Sequence, residues 1–289
     1  MMVFFKQMEP DANFRCFHTM PFHIFEDFQA PDIEDFQSLK GKGGHFEKGL
    51  FIAEGEKIAR KILESSFEVP SAYLTAEHFE RLRPLFEKRT DSTNVFLASK
   101  ETMANVIGYH LHQGIMLAVK IPKSRGVMEA ISKWESPWLA VALDGIADGE
   151  NMGGIIRNAA AFGAKAVIVD ETSCNPWLRR SVRVSMGTIV DVEIIWVQNL
   201  ALELAGIPQI KPIRIIGAAL SPNSVELSTI KPDGNTMLVF GSEGWGLRKE
   251  VLAGCDTLAE IPMAEGVDSL NVAVASGIFL YAFQQVVRV

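Results

Sequence analysis

Residues 261–283 read "IPMAEGVDSLNVAVASGIFLYAF", a short apolar end, a polar loop and then a helix whose apolar residues run all the way round. A helix of that kind is buried on several sides or crosses a membrane. Spanning needs about 20 apolar residues, whereas Asp268, Ser269, Asn271 and Ser276 sit at its head and Gln284 and Gln285 close it. The stretch is therefore expected to be a soluble, buried helix with Ser269 as its cap. Asn271, in the first turn, points an amide that both donates and accepts at whatever occupies the end of the preceding strand. Gly277 marks a point of close approach to a neighbouring surface.

Working back from this helix, strand and helix patterns alternate. The apolar runs "WLAVALD" (138–144), "KAVIVD" (165–170), "VDVEIIWV" (190–197), "IRIIGAAL" (213–220), "TMLVFG" (236–241) and "TLAEIP" (257–262) are continuous rather than alternating. Continuous apolar strands interleaved with helices predict a parallel sheet covered on both faces, an α/β domain over residues 138–289. Such sheets hold ligands at the carboxyl ends of their strands. The first such loop leads into "NMGGIIRNAAAFG", where Asn151 is placed as an N-cap, Gly163 as the residue after the helix, and Ile155, Ile156, Ala159 and Phe162 for burial. Arg157 has no carboxylate three or four residues away on that helix, which leaves it open to a ligand or to solvent. A second loop, "SEGWGL" (242–247), carries glycines around Glu243 and Trp245; its GxxGxG order is not the dinucleotide fingerprint.

Composition sets the frame. The chain has 289 residues, 48% of them hydrophobic, enough for one large core or two modest ones. Cys16, Cys174 and Cys255 are scattered, with no metal-ligand or disulfide spacing, and no signal-like run opens the chain. A cytoplasmic protein without a structural metal is the expectation. The net charge of −7 is uneven: residues 1–36 carry two basic and seven acidic residues, residues 81–133 nine basic and four acidic. Residues 1–44, ending in "KGKGGH", read as an acidic extension and linker able to fold over a basic surface. Residues 45–133 read as a small α/β domain, opening on helical periodicity in "LFIAEGEKIARKILES" and continuing through "SAYLT", "VFLAS" and "GIMLAVKIP".

Taken in order and spacing, "NMGGIIRNAAAFGA", "LVFGSEGWGL" and "IPMAEGVDSLNVAVA" resemble the three motifs of the SpoU (TrmH) family of RNA methyltransferases, within the SPOUT superfamily. Gly149 departs from the usual proline of that family, and Ala273 from a frequent serine. The segment 45–133, through "FIAEGEKIARKIL" and "HQGIMLAVKIP", resembles the substrate-binding domain, related to a ribosomal protein fold, that many family members carry in front.

The resemblance implies a deep trefoil knot, a departure from the near absence of knots in proteins, and a homodimer whose last helix is wedged between the knot and the partner. It implies S-adenosylmethionine as cofactor, with Gly241, Ile261 and Leu270 touching it through main-chain groups and Phe240 and Met263 as apolar walls. Glycine at 241 would then keep a side chain out of the adenosine. Arg157 would be the central catalytic residue, binding the phosphate and stabilising the developing alkoxide of a ribose 2′-hydroxyl. Asn151, Glu243, Ser269 and Asn271 would position the ribose, Arg157 and one another. RNA phosphates would be met by Lys57, Arg60, Lys61, Arg81, Arg83, Lys123 and Arg125, with Arg89 and Lys120, and by Arg179, Arg180 and Arg183 in "WLRRSVRVSMG". The implied reaction is ribose 2′-O-methylation of RNA, ribosomal rather than transfer. A catalytically impaired RNA-binding relative, or methylation at another RNA position, stays open as the alternative. A solvated charged face is the plain reading of Lys57, Arg60 and Lys61.

Overall fold

The computed structural model describes residues 21–26, 33–37, 44–107, 113–267 and 269–287. Most of the acidic extension and its linker, with Asp268, lie outside the described residues.

The front domain is a five-stranded sheet in the order β1-β4-β3-β5-β2. Its strands are β1 (Phe22–Phe25), β2 (Leu50–Glu54), β3 (Ser71–Leu74), β4 (Thr93–Leu97) and β5 (Ile115–Lys120); its helices are α1 (Glu34–Gln37), α2 (Gly44–Glu47), α3 (Glu56–Glu64), α4 (Ala76–Glu87) and α5 (Lys100–Ile107). Two expectations need correction. The head of "LFIAEGEKIARKILES" is a strand: Leu50–Glu54 pairs antiparallel with Lys120–Met116, and Gly55, at φ +104°, turns the chain into α3. The segment assigned to the arm also supplies an edge strand, since Phe22–Phe25 pairs in parallel with Thr93–Phe96, and Phe36 is buried against Tyr73 with ring centroids 5.6 Å apart. Both departures are long-range pairings that local periodicity does not encode.

Helix α6 (Val127–Lys133) leads into the second domain, which is wholly parallel as its continuous apolar strands predict. Its sheet runs β10-β12-β9-β11-β6-β7-β8. The members are β6 (Leu139–Asp144), β7 (Ala166–Val169), β8 (Glu193–Trp196), β9 (Arg214–Ala218), β10 (Val225–Glu226), β11 (Thr236–Gly241) and β12 (Thr257–Glu260). Helices α7 (Gly149–Ala161), α8 (Arg179–Val184), α9 (Leu200–Gly206), α10 (Lys249–Leu252) and α11 (Val272–Phe283) complete it. From β6 the chain steps outward through β7 and β8, then crosses to the other side, so β11 lies beside β6. This is the reversal at which parallel sheets open a crevice. The pairing of Gly241 with Asp144 sets the loops after β6 and β11 side by side.

Helix α7 is gripped on two flanks. A Cβ on Gly153 would lie 2.4 Å from the Ser181 carbonyl oxygen of α8, and one on Gly154 would lie 2.8 Å from Ala273 Cβ of α11. Gly277 also meets α7: a Cβ there would lie 3.2 Å from Asn158 Nδ2, a close approach within this chain. Asn158 Nδ2 donates to the Ala273 carbonyl at 2.7 Å and to Ser276 Oγ at 3.0 Å, which satisfies polar groups in an otherwise apolar seam. Phe162, expected to be buried, is only partly covered, 6.1 Å from the exposed ring of Tyr281.

The two domains share a core. Trp177 packs its ring 4.9 Å from Phe51 and 6.0 Å from Phe67, and Lys61 pairs with Asp191 across the joint. Arg179 lies 3.8 Å from the buried Glu54 carboxylate.

Candidate active site

At the carboxyl ends of β9, β11 and β12 lies a cleft of about 620 Å³. Its inner wall is apolar, with Phe240, Ala259, Leu247 and Phe279 each buried. Phe240, Gly241, Ile261, Met263 and Leu270 all line it, together with Glu243, Ser269 and Asn271. Pockets of some 300–1,000 Å³ with apolar walls and a few placed polar groups suit small organic cofactors, and the residues present fit an adenosine-bearing one. The loop after β9 adds Ala218, Ala219 and Leu220. The strand-end rule applied to "IRIIGAAL" was the signal that could have found them.

Gly241 has a reason within the chain that the sequence did not show. A Cβ there would lie 2.2 Å from the Gly246 carbonyl carbon and 2.4 Å from Leu247 N. The loop Ser242–Gly246 folds back on itself through reciprocal Ser242 and Gly246 backbone hydrogen bonds of 3.1 and 2.9 Å. The loop's own backbone by itself requires glycine here.

Three loops meet in one polar set. Asn151 Nδ2 donates to Glu243 Oε1, and Asn271 Nδ2 donates to Asn151 Oδ1 at 2.8 Å. Each amide carbonyl is used: Asn271 Oδ1 accepts from the N–H groups of Ala273 (2.9 Å) and Val274 (3.3 Å), capping α11. The cap is thus Asn271 and not Ser269, which lines the cleft. Likewise α7 is capped by Asp148, whose Oδ1 accepts from Glu150 N (2.6 Å) and Asn151 N (3.2 Å). That places Asn151 inside the first turn and frees its amide for the other two loops. Gly149 takes the first helical position, where a proline would also be tolerated.

Arg157 stands exposed on α7 with no side-chain hydrogen bond or ion pair among the described residues, outside the residues lining the cleft. A second node, unforeseen from the sequence, ties the ends of β6 and β7 to the start of α10. Arg248 Nε donates to Asp144 Oδ1 at 2.6 Å, its Nη2 to Asp170 Oδ2 at 2.9 Å, and its backbone N–H to Asp144 Oδ2 at 2.7 Å. Burial works against ionised Asp170, but hydrogen bonds from Ser173, Thr172 and the Gly145 N–H outweigh it and hold the carboxyl below its usual 3.8. Among the described residues, no group of three or more His, Cys, Asp or Glu is placed to hold a metal, and no helix is long and apolar enough to cross a membrane.

The predicted RNA contacts divide. Lys57, Arg60 and Arg81 come together with Lys100 around a front-domain cleft of about 730 Å³, where Glu56 lies 3.6 Å from Arg60 and 3.0 Å from Arg81. Burial, then Arg81, pushes His78 in that cleft below its ordinary 6.5. Lys123 and Arg183 are exposed, without a side-chain partner among the described residues. The others are engaged elsewhere: Lys61 with Asp191, Arg83 with Glu80 at 3.3 Å, Lys120 with Glu68 at 2.6 Å, Arg125 with Glu193 at 2.9 Å, Arg180 with Glu150 at 2.7 Å, and Arg179 in the domain joint. Arg89 is buried, binding Asp91 and the carbonyls of Leu63 and Phe67, so it serves the fold.

Residues 138–281 match the model of the SpoU rRNA methylase family. The chain is 31% identical over 263 residues to an uncharacterised tRNA/rRNA methyltransferase of Mycobacterium tuberculosis, covering 87% of this chain and 88% of that protein. It is 34% identical to the 23S rRNA (guanosine-2'-O-)-methyltransferase RlmB of Coxiella burnetii, over 71% of this chain and 83% of the relative. Its fold is similar to that of an AdoMet-bound rRNA methyltransferase from Sinorhizobium meliloti, with a TM-score of 0.78 at 22% identity over 92% and 98% of the two chains. Similarity of this extent, in a chain whose second and third motifs line one cleft and whose first is hydrogen-bonded to both, makes this protein a member of the SpoU rRNA methylase family.

Proposed function

We propose that this protein methylates a ribose 2′-hydroxyl of ribosomal RNA in the cytoplasm, with S-adenosylmethionine supplying the methyl group. The observation that carries the reading is the hydrogen-bonded set Glu243–Asn151–Asn271 beside the apolar cleft, since it fixes a polar edge where a ribose must be held. Phe240, Met263 and the backbone around Gly241, Ile261 and Leu270 hold the cofactor. Asn151, Glu243, Ser269 and Asn271 orient the ribose, and a fixed orientation is itself a large share of catalysis. Arg157 binds the neighbouring phosphate and stabilises the hydroxyl oxygen as it loses its proton; a guanidinium is too weak a base to take that proton itself.

The front domain, with Lys57, Arg60 and Arg81 on one cleft, grips RNA phosphates. The last helix passes through the preceding loops as a trefoil knot. A homodimer is supported by α11, whose Val274, Ile278 and Tyr281 form an exposed apolar stripe at spacings of four and three residues. The 34% identity to an rRNA guanosine-2'-O-methyltransferase supports ribosomal RNA as the substrate class.

The test is transfer of labelled methyl from S-adenosylmethionine to unmodified 23S ribosomal RNA and, separately, to transfer RNA. Ribose methylation is read as a dinucleotide resistant to alkali. Alkali-labile label, or label in transfer RNA alone, would overturn the reading. Tyr281→Asp, compared with the parent by sedimentation, is expected to shift the protein toward monomer.

A further inference from the structure

Trp245 is 94% exposed, although it is among the residues at the cleft. Single exposed apolar residues are ordinary, but a tryptophan leaves more apolar area in water than any other side chain. The loop that carries it is held firmly. Ser242 and Gly246 exchange backbone hydrogen bonds, the Trp245 N–H donates to Ser242 Oγ at 3.2 Å, and Gly246 adopts φ +66°. The ring is therefore presented to solvent from a fixed hairpin. The cleft interior does not need it, since Phe240, Leu247, Ala259 and Phe279 already close the apolar wall and are buried.

What stands next to the ring decides its partner. Glu243, two residues earlier, is bonded to Asn151, which is bonded to Asn271. A ribose held by those groups carries its own base and has nucleotides on both sides, and the ring stands two residues further along the same loop. We infer that Trp245 is a stacking platform for a nucleobase of the substrate RNA, the methylated nucleotide's own or its immediate neighbour. The inference rests on the proposed RNA substrate. It adds a base contact made through a π face, which tolerates any base and so contributes affinity more than sequence choice.

The test compares Trp245→Ala and Trp245→Phe with the parent, using unmodified 23S ribosomal RNA as the probe. Binding is followed by tryptophan fluorescence and by filter retention, cofactor affinity by calorimetry and oligomeric state by sedimentation. The alanine variant is expected to bind RNA about tenfold more weakly, the loss of one base–aromatic stack, and the phenylalanine variant to recover most of it. RNA-induced quenching in the parent should shrink in both variants, while cofactor affinity and oligomeric state stay unchanged. Equal RNA affinity in parent and alanine variant would overturn the inference. So would a loss confined to cofactor affinity, which would put the ring over the adenosine, or a change in oligomeric state, which would put it against a second copy. Because binding is read apart from methylation, a parent that binds RNA through Trp245 yet leaves ribose unmethylated would sink the proposed reaction and leave this contact standing.

Discussion

Asn271 Nδ2 donates to Asn151 Oδ1 across 2.8 Å, joining residues 120 positions apart, while Asn271 Oδ1 caps α11. One side chain thus serves both the helix and the site, and the two duties can be separated. Asn271→Asp keeps the accepting oxygen but removes the donor. We expect thermal stability close to that of the parent and methyl transfer reduced roughly tenfold or more through lost orientation. Asn271→Ala should in addition cost about 0.5–2 kcal/mol of stability through the lost cap. An aspartate variant as active as the parent would show that the amide bridge is structural only.

Arg157 has no partner among the described residues, so removing it breaks no described side-chain contact. Arg157→Ala is expected to lose about 100-fold or more in methyl transfer, the scale of one oriented electrostatic group, with cofactor affinity by calorimetry nearly unchanged. Full activity in this variant would remove Arg157 from the mechanism.

Gly241→Ala drives a Cβ into the Gly246–Leu247 backbone. Overpacking of this kind costs about 1–3 kcal/mol. The damage falls on the cleft wall, so cofactor affinity should fall together with the melting temperature. A variant that melts like the parent and binds cofactor equally would show that the hairpin relaxes freely.

Gly277→Leu tests the α7–α11 seam, because the added side chain must displace Asn158. The expected loss is again about 1–3 kcal/mol in denaturant unfolding. Unchanged unfolding would mean that Asn158 moves aside without cost.

Asp170 sets an acid limit. Its folded carboxyl lies below the ordinary 3.8, so its contribution is fully present above that value and is lost as pH falls through the lower, folded one. Unfolding free energy should therefore decline as pH drops below about 4. Asp170→Asn should be less stable at neutral pH and show a shallower decline in acid. Parallel acid curves for the two proteins would argue that Asp170 contributes nothing to acid sensitivity.

Much of the architecture was legible in the residues themselves. Unbroken apolar strands with helices between them can only be satisfied by a parallel sheet covered on both faces, and ligands of such sheets meet the strand ends. Phe240, Gly241, Ile261, Met263 and Leu270 were expected together because their motifs resemble those of the SpoU family, and the strand-end geometry is why they converge on one cleft. Tertiary structure decided the partners. Asp148 rather than Asn151 caps α7 and Asn271 rather than Ser269 caps α11, and the Asn151 and Asn271 amides each reach a loop about a hundred residues away. Lys61 and Arg89 read alike as cations, yet one meets Asp191 at 130 residues' distance and the other is buried against carbonyls. Local sequence carries the period and the face of an element, because these follow from backbone geometry. It does not carry the identity of the group that arrives opposite a side chain, because that depends on how distant segments pack.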